Sequence, residues 1–184
     1  MRGLLREKLF NKHYNKLLGS RAARTSSSVN TISSVTILVP SKYASPSDVR
    51  QLRQYFEGMQ LSVYLYLVKE KGEHVEDLNS NTIIDLEECE WYGVPTQEIL
   101  IQWLAHKTDL LIVNDPDRLP IMRYLTAASN SKLKSTIYHS SLKREDYDID
   151  MWIDASDQHP SLLDQCRLTY ETLSKLGVGP PVIG

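Results

Sequence analysis

The sequence predicts an α/β domain: a three-layer, doubly wound, mainly parallel sheet of five strands, preceded by a helical arm. Three observations carry that prediction. Apolar segments rich in β-branched residues alternate with amphipathic segments of helical periodicity. The apolar segments, such as "LSVYLYLV" at 61–68 and "DLLIV" at 109–113, run on without polar alternation, as strands do when both their faces are buried. Finally, 184 residues of which 41 % are hydrophobic suffice for a core that needs neither disulfide nor metal.

The elements follow in chain order. In residues 1–24, Phe10, Tyr14, Leu17 and Leu18 fall at the spacing of one helix face, with Leu4 on the same side and Gly19 as a stop. "TSSSVNTISS" at 25–34 reads as a serine-rich linker, and the α/β domain is expected over 35–184. "VTILV" at 35–39 is the first strand. The helix after it opens on Ser45 as N-cap, with Pro46 in its first turn and Asp48 three after the cap. Its inner face is Val49, Leu52 and Phe56, and Gly58 ends it. Strand 61–68 leads into a charged loop, after which "TIID" at 82–85 reads as a possible short extra strand outside the count of five.

"TQEILIQWLAHK" then supplies a helix with Ile99, Leu100, Trp103 and Leu104 on one side, and "DLLIV" the next strand. "RLPIMRYLTAAS" is the helix that follows, started by Pro120. "LKSTIY" at 133–138 and "DIDMWI" up to 153 are the last two strands, with no clear helix between them. A final helix runs from near Pro160 to Leu176, with Leu162, Cys166, Thr169 and Leu173 in register and Gly177 closing it. Counting the five strands in turn, the expected order is 2-1-3-4-5, with 3-2-1-4-5 as the alternative.

In such a sheet ligands lie beyond the carboxyl ends of the strands, where the strand order reverses. The residues placed there are Ser41, Lys42 and Tyr43; Asn114, Asp115 and Asp117; His139, Ser140 and Ser141; and Asp154, Ser156 and Asp157. Two acidic tips facing one crevice would suit sugar hydroxyls or a divalent cation. The same residue types also serve as turn and N-cap residues, a role that "NDPD" at 114–117 fits directly.

Familiar catalytic templates are missing. The turn "PSKYASPSD" has no glycine, so neither a dinucleotide fingerprint nor a P-loop is present. The five histidines stand far apart and there is no G-x-S-x-G elbow, so no metal and no cofactor is expected. Cys89 and Cys166, 77 residues apart, read as two thiols of a reducing cytosol. Glu87, Glu88 and Glu90 read as a solvated acidic run, and Trp91 and Tyr92 as cover for the core edge.

Charge is unevenly spread. Arg2, Arg6, Lys8, Lys12, Lys16, Arg21 and Arg24 stand against Glu7 alone, giving +6 over residues 1–24, whereas the other 160 residues carry 14 basic and 22 acidic side chains. The arm either docks on the domain through Phe10, Tyr14 and Leu17 or meets an anionic partner: nucleic acid, ribosome or membrane surface. An Arg- and Ser-rich, acid-poor amphipathic N-terminus also resembles an organelle transit peptide. The longest aliphatic run, "LLIV", is far short of the ~20 residues of a membrane span, and a cytoplasmic location is expected.

Together, "WYGVPTQEIL", "DLLIVND", "LTAASNSKLK" and "DIDMWID" resemble a family of small bacterial α/β proteins of unknown function that carry a basic N-terminal helix. The resemblance runs from about residue 7 to 176, departs at "SKLKST", where those proteins tend to have a glycine, and implies a cytoplasmic Rossmann-like domain with no accepted catalytic residue. "DLLIVNDPDRLPIMRYLTAASNSKLKST" is similar to the acceptor half of lipopolysaccharide heptosyltransferases. That second likeness implies a transferase whose sugar nucleotide sits on a further Rossmann domain, which 184 residues do not provide. The expectation is therefore a non-catalytic binding module using the basic helix. The alternative is a transferase-like or other enzyme taking a sugar or nucleotide at the strand ends.

Overall fold

The computed structural model describes residues 2–20, 29–73, 82–138, 144, 147–154 and 161–179. Helix α1 spans Arg2–Ser20 and strand β1 Ser34–Pro40; α2 spans Pro46–Glu57 and β2 Ser62–Lys69. Strand β3 is Thr82–Asp85, followed by α3 (Gln97–Ala105), β4 (Leu110–Val113) and α4 (Pro120–Ala128). Strands β5 (Leu133–Tyr138) and β6 (Met151–Asp154) precede α5 (Leu162–Lys175).

Among the described residues the five strand pairings are all parallel, and the sheet order is β3-β2-β1-β4-β5-β6. The sheet thus has six strands where five were expected. The additional one is "TIID", whose four residues pair Tyr66↔Thr82 through Lys69↔Asp85 on the outer side of β2. Its apolar signal is weak because only Ile84 of the four is buried. The other five strands keep the expected 2-1-3-4-5 succession, so the order reverses between β1 and β4.

Continuous apolar strands bury both faces here, and the residues sort by parity. Val35, Ile37, Val39, Leu65, Leu67, Leu110 and Ile112 face α2 and α5. Leu38, Tyr66, Val68, Leu111 and Val113 face α1, α3 and α4. Helix α2 opens on the expected capping box: Ser45 Oγ accepts the Asp48 N–H at 3.2 Å, and Asp48 Oδ2 accepts the Ser45 N–H at 3.2 Å. Trp103 of α3 buries its ring and donates its indole N–H to the Leu125 carbonyl at 2.9 Å, tying α3 to α4. Leu104, expected on the same inner face, is 37 % exposed.

Helix α1 belongs to the second layer. Phe10 and Tyr14 are each 4 % exposed; their rings stack 5.5 Å apart, and Phe10 meets Tyr124 of α4 edge-on at 6.5 Å. The Arg123 guanidinium lies 4.6 Å from the Tyr14 ring centre. Burying each aromatic side chain contributes about 1.5–3 kcal/mol, enough to hold a helix of this length in place. No described helix is long and apolar enough to cross a membrane.

Candidate functional site

The strand-end groove lies where β1 and β4 part. After β1 the chain makes a single 3-10 turn, Ser41–Tyr43, and its three polar side chains reach across the groove in different directions. Ser41 donates to the carboxylate of Glu73, which also accepts the Glu70 N–H at 2.9 Å. Lys42 Nζ sits 2.8 Å from Glu70 Oε1 and 2.9 Å from Asp117 Oδ2. Tyr43 donates to Asp117 Oδ1 at 3.1 Å. The loops after β1, β2 and β4 are thereby cross-linked into one polar cluster.

Among the described residues the cluster is acidic: Lys42 pairs with the carboxylates of Glu70 and Asp117, while that of Glu73 accepts from Ser41. Hydrogen bonds from Lys42 to Glu70 and Asp117 raise its pKa above the ordinary lysine value, so it remains a cation already engaged by two anions. Such a lysine is poorly placed to receive an anionic ligand.

Deeper in the groove stand Asn114 and Asp115, both buried. The Asn114 N–H continues the ladder to Leu38 O at 3.0 Å, while its side-chain Oδ1 has no hydrogen-bond partner among the described residues. Asp115 Oδ1 accepts the Leu119 N–H at 3.1 Å, just ahead of α4, and Oδ2 accepts the Tyr147 hydroxyl. Burial pushes the Asp115 carboxyl up to about 6, against the hydrogen bonds from Tyr147 and Leu119 that favour its ionised form. Burial, and then the Asp115 charge, likewise raise the Tyr147 phenol above its ordinary range.

Among the strand-end candidates, Ser41 and Lys42 share one cluster and Asn114 and Asp115 line the loop beside it. Asp154 is exposed at the end of β6, two strands from β4. His139, Ser140, Ser141, Ser156 and Asp157 lie outside the described residues. Glu70 and Glu73 were missed although they follow β2 directly: the strand-end rule reaches them, but their loop reads only as charged. Tyr147 left no signal, since its contact with Asp115 spans 32 residues. Among the described residues no cluster of metal-ligating side chains occurs. Burial pushes the Cys89 thiol up to about 12 and raises that of Cys166, so neither free cysteine is a poised nucleophile.

The second candidate region is the outer side of α1. Lys8, Lys12 and Lys16 succeed one another at one-turn spacing and are all exposed, and among the described residues none has a carboxylate within ion-pair reach. Leu4 and Leu5 are exposed at the N-terminal end of the same helix, 69 % and 53 %. Arg6 instead lines a cleft between α1 and α4. The structure describes the Arg2 backbone within α1, and Arg21 and Arg24 lie outside the described residues.

A parallel, doubly covered sheet with a polar groove at its switch point defines a Rossmann-like α/β protein. The chain belongs to a family of unknown function, DUF6913, whose model matches residues 6–164 and so takes in nearly all of α1 and the whole sheet. Comparison with curated proteins gave no match.

Proposed function

We propose that the protein is a non-catalytic binding module that engages a phosphate-rich polyanionic surface through α1. The observation that carries this reading is the row of Lys8, Lys12 and Lys16 on the solvent side of a helix whose other side is anchored by Phe10 and Tyr14. Like charges one turn apart destabilise a helix by about 0.2–0.5 kcal/mol per pair. An anionic partner would turn that repulsion into attraction through counterion release or headgroup attraction. Because α1 contributes to the core, the test keeps it: the triple variant Lys8→Gln, Lys12→Gln, Lys16→Gln is compared with the intact chain for binding to duplex DNA, single-stranded RNA and vesicles containing phosphatidylserine. Loss of binding to one of them supports the reading and names the source of the phosphates. Equal binding by both proteins, or none by either, removes it.

One observation favours a second reading, a ligand in the strand-end groove. Asn114 Oδ1 is a buried acceptor without a partner beside the acidic cluster, an arrangement suited to a ligand that donates hydrogen bonds, such as a sugar hydroxyl. A thermal-shift screen of sugars, nucleosides and sugar nucleotides tests it, since a ligand at 100 times its Kd stabilises by about 2.7 kcal/mol. The absence of any shift counts against the groove.

A further inference from the structure

The solvent side of α1 is not uniformly polar. At about 100° of turn per residue, Leu4, Leu5, Lys8, Lys12 and Lys16 fall on one side of the helix, away from the Phe10 and Tyr14 side that packs on α4. Leu4 and Leu5 are 69 % and 53 % exposed, and the exposed Lys8 and Lys12 lie between their two directions, one and two turns further along. This face therefore runs about 18 Å, from two leucines at its N-terminal end through three ammonium groups. The one carboxylate of α1, that of Glu7, falls outside it and lines the cleft toward α4.

Single exposed leucines are ordinary. Two neighbours on the face that carries the lysine row bear on what the row meets. Against a nucleic acid they would press on phosphates and sugars, with no apolar phase to receive them. Pairing the face with its own image in a second copy would bury the leucines but set two lysine rows against each other. A lipid bilayer offers both layers in the right order: anionic headgroups for the ammonium ions and, just beneath, acyl chains for leucine. Lysine suits that boundary, since its methylene stem lies along apolar surface while its charge stays among the headgroups. Phe10 and Tyr14 commit the other side of α1 to the core, each with 4 % exposure, so the helix meets a membrane already formed and inserts only its leucines.

We propose that this face docks the protein on an anionic lipid bilayer, with Leu4 and Leu5 inserted among the headgroups and Lys8, Lys12 and Lys16 paired with their charges. The inference rests on the reading of α1 as a polyanion-binding helix and gives a role to the two leucines which that reading leaves unused. Each lysine near an anionic surface raises binding about fivefold, and the leucines add a contribution that salt does not screen. Two leucines and three lysines make a shallow, reversible contact, well short of the hold of a spanning helix.

The test is co-sedimentation of the intact chain with vesicles of phosphatidylcholine alone and of phosphatidylcholine with phosphatidylserine, beside filter binding to duplex DNA and single-stranded RNA. The variant Leu4→Gln, Leu5→Gln changes two exposed positions and keeps a good helix former at each, so its thermal midpoint should match that of the parent. It should bind the phosphatidylserine vesicles roughly tenfold or more weakly than the parent does. Its affinity for either nucleic acid, which meets the lysines alone, should be unchanged. The triple lysine variant should lose the preference for phosphatidylserine. Equal vesicle binding by the parent and the leucine variant, or binding of a nucleic acid without binding of vesicles, would overturn the inference and leave the polyanion reading standing. Binding to none of these partners would remove both.

Discussion

The Lys134 ammonium, on β5 and with no solvent exposure, lies 2.6 Å from Asp148 Oδ2 and 2.5 Å from the carbonyl of Thr126 in the last turn of α4. A buried cation therefore closes the negative end of one helix and ties it to the segment entering β6. Removing one member of such a pair strands the other charge, at a cost of about 3–5 kcal/mol. Asp148→Asn should accordingly lower the unfolding free energy in urea by about that amount. Lys134→Met, which removes the fully buried member and leaves a carboxylate that is 30 % exposed, should cost less. Equal and small effects from both would show the pair to be immaterial to stability.

Asp109 stands at the opposite end of the sheet from the groove and gathers the start of the domain. Its Oδ2 accepts from the Ser33 and Ser34 N–H groups at 2.9 and 3.1 Å, and Lys132 Nζ lies 2.7 Å from Oδ1. Burial opposes ionisation, but Lys132 and the serine donors outweigh it and hold the carboxyl well below its ordinary value of 3.8. A carboxyl lowered in the fold stabilises above its unfolded pKa, and the gain is lost as pH falls through the folded one. Asp109→Asn should cost about 1.5–3 kcal/mol at neutral pH, shrinking as pH drops below 4, in urea titrations at several pH values.

Asp115 has the opposite sign. Its folded pKa of about 6 exceeds the unfolded value of 3.8, so between them the folded chain holds more protons and stability falls as pH rises. A displacement of about two units corresponds to about 3 kcal/mol. Asp115→Asn should remove most of this decline between pH 4 and 6, whereas a pH profile parallel to that of the parent would contradict the assignment.

For the lysine row, neutralising three phosphates of a DNA duplex gives a slope of about −2.7 in log affinity against log salt. Binding should then fall roughly 40-fold between 50 and 200 mM salt, and the triple glutamine variant should lose that dependence. Filter binding across a salt series reads both quantities.

Much of the fold was legible because burial repeats locally. Strand runs, the Ser45–Asp48 box and the Phe10–Tyr14 face each declare themselves within a few residues. Strand β3 escaped the count because it buries a single side chain. Lys134 gave no warning of burial, since its partners are helix carbonyls and an aspartate contributed by other segments. The groove residues Ser41, Lys42 and Asn114 followed from topology. The Glu70, Glu73 and Tyr147 contacts arise from packing between distant segments that no sequence period records.

The short reach of β3 has its own consequence. Among the described residues it covers only Tyr66–Lys69 of β2, and the outer edge of Ser62–Leu65 has no neighbouring strand there. "VYLYLV" at 63–68 is uncharged, strongly β-forming and free of glycine and proline, the composition of segments that stack into fibrils. Four residues of edge strand thus act as a guard rail, and a chain that sheds them would offer neighbouring molecules a template for self-propagating assembly.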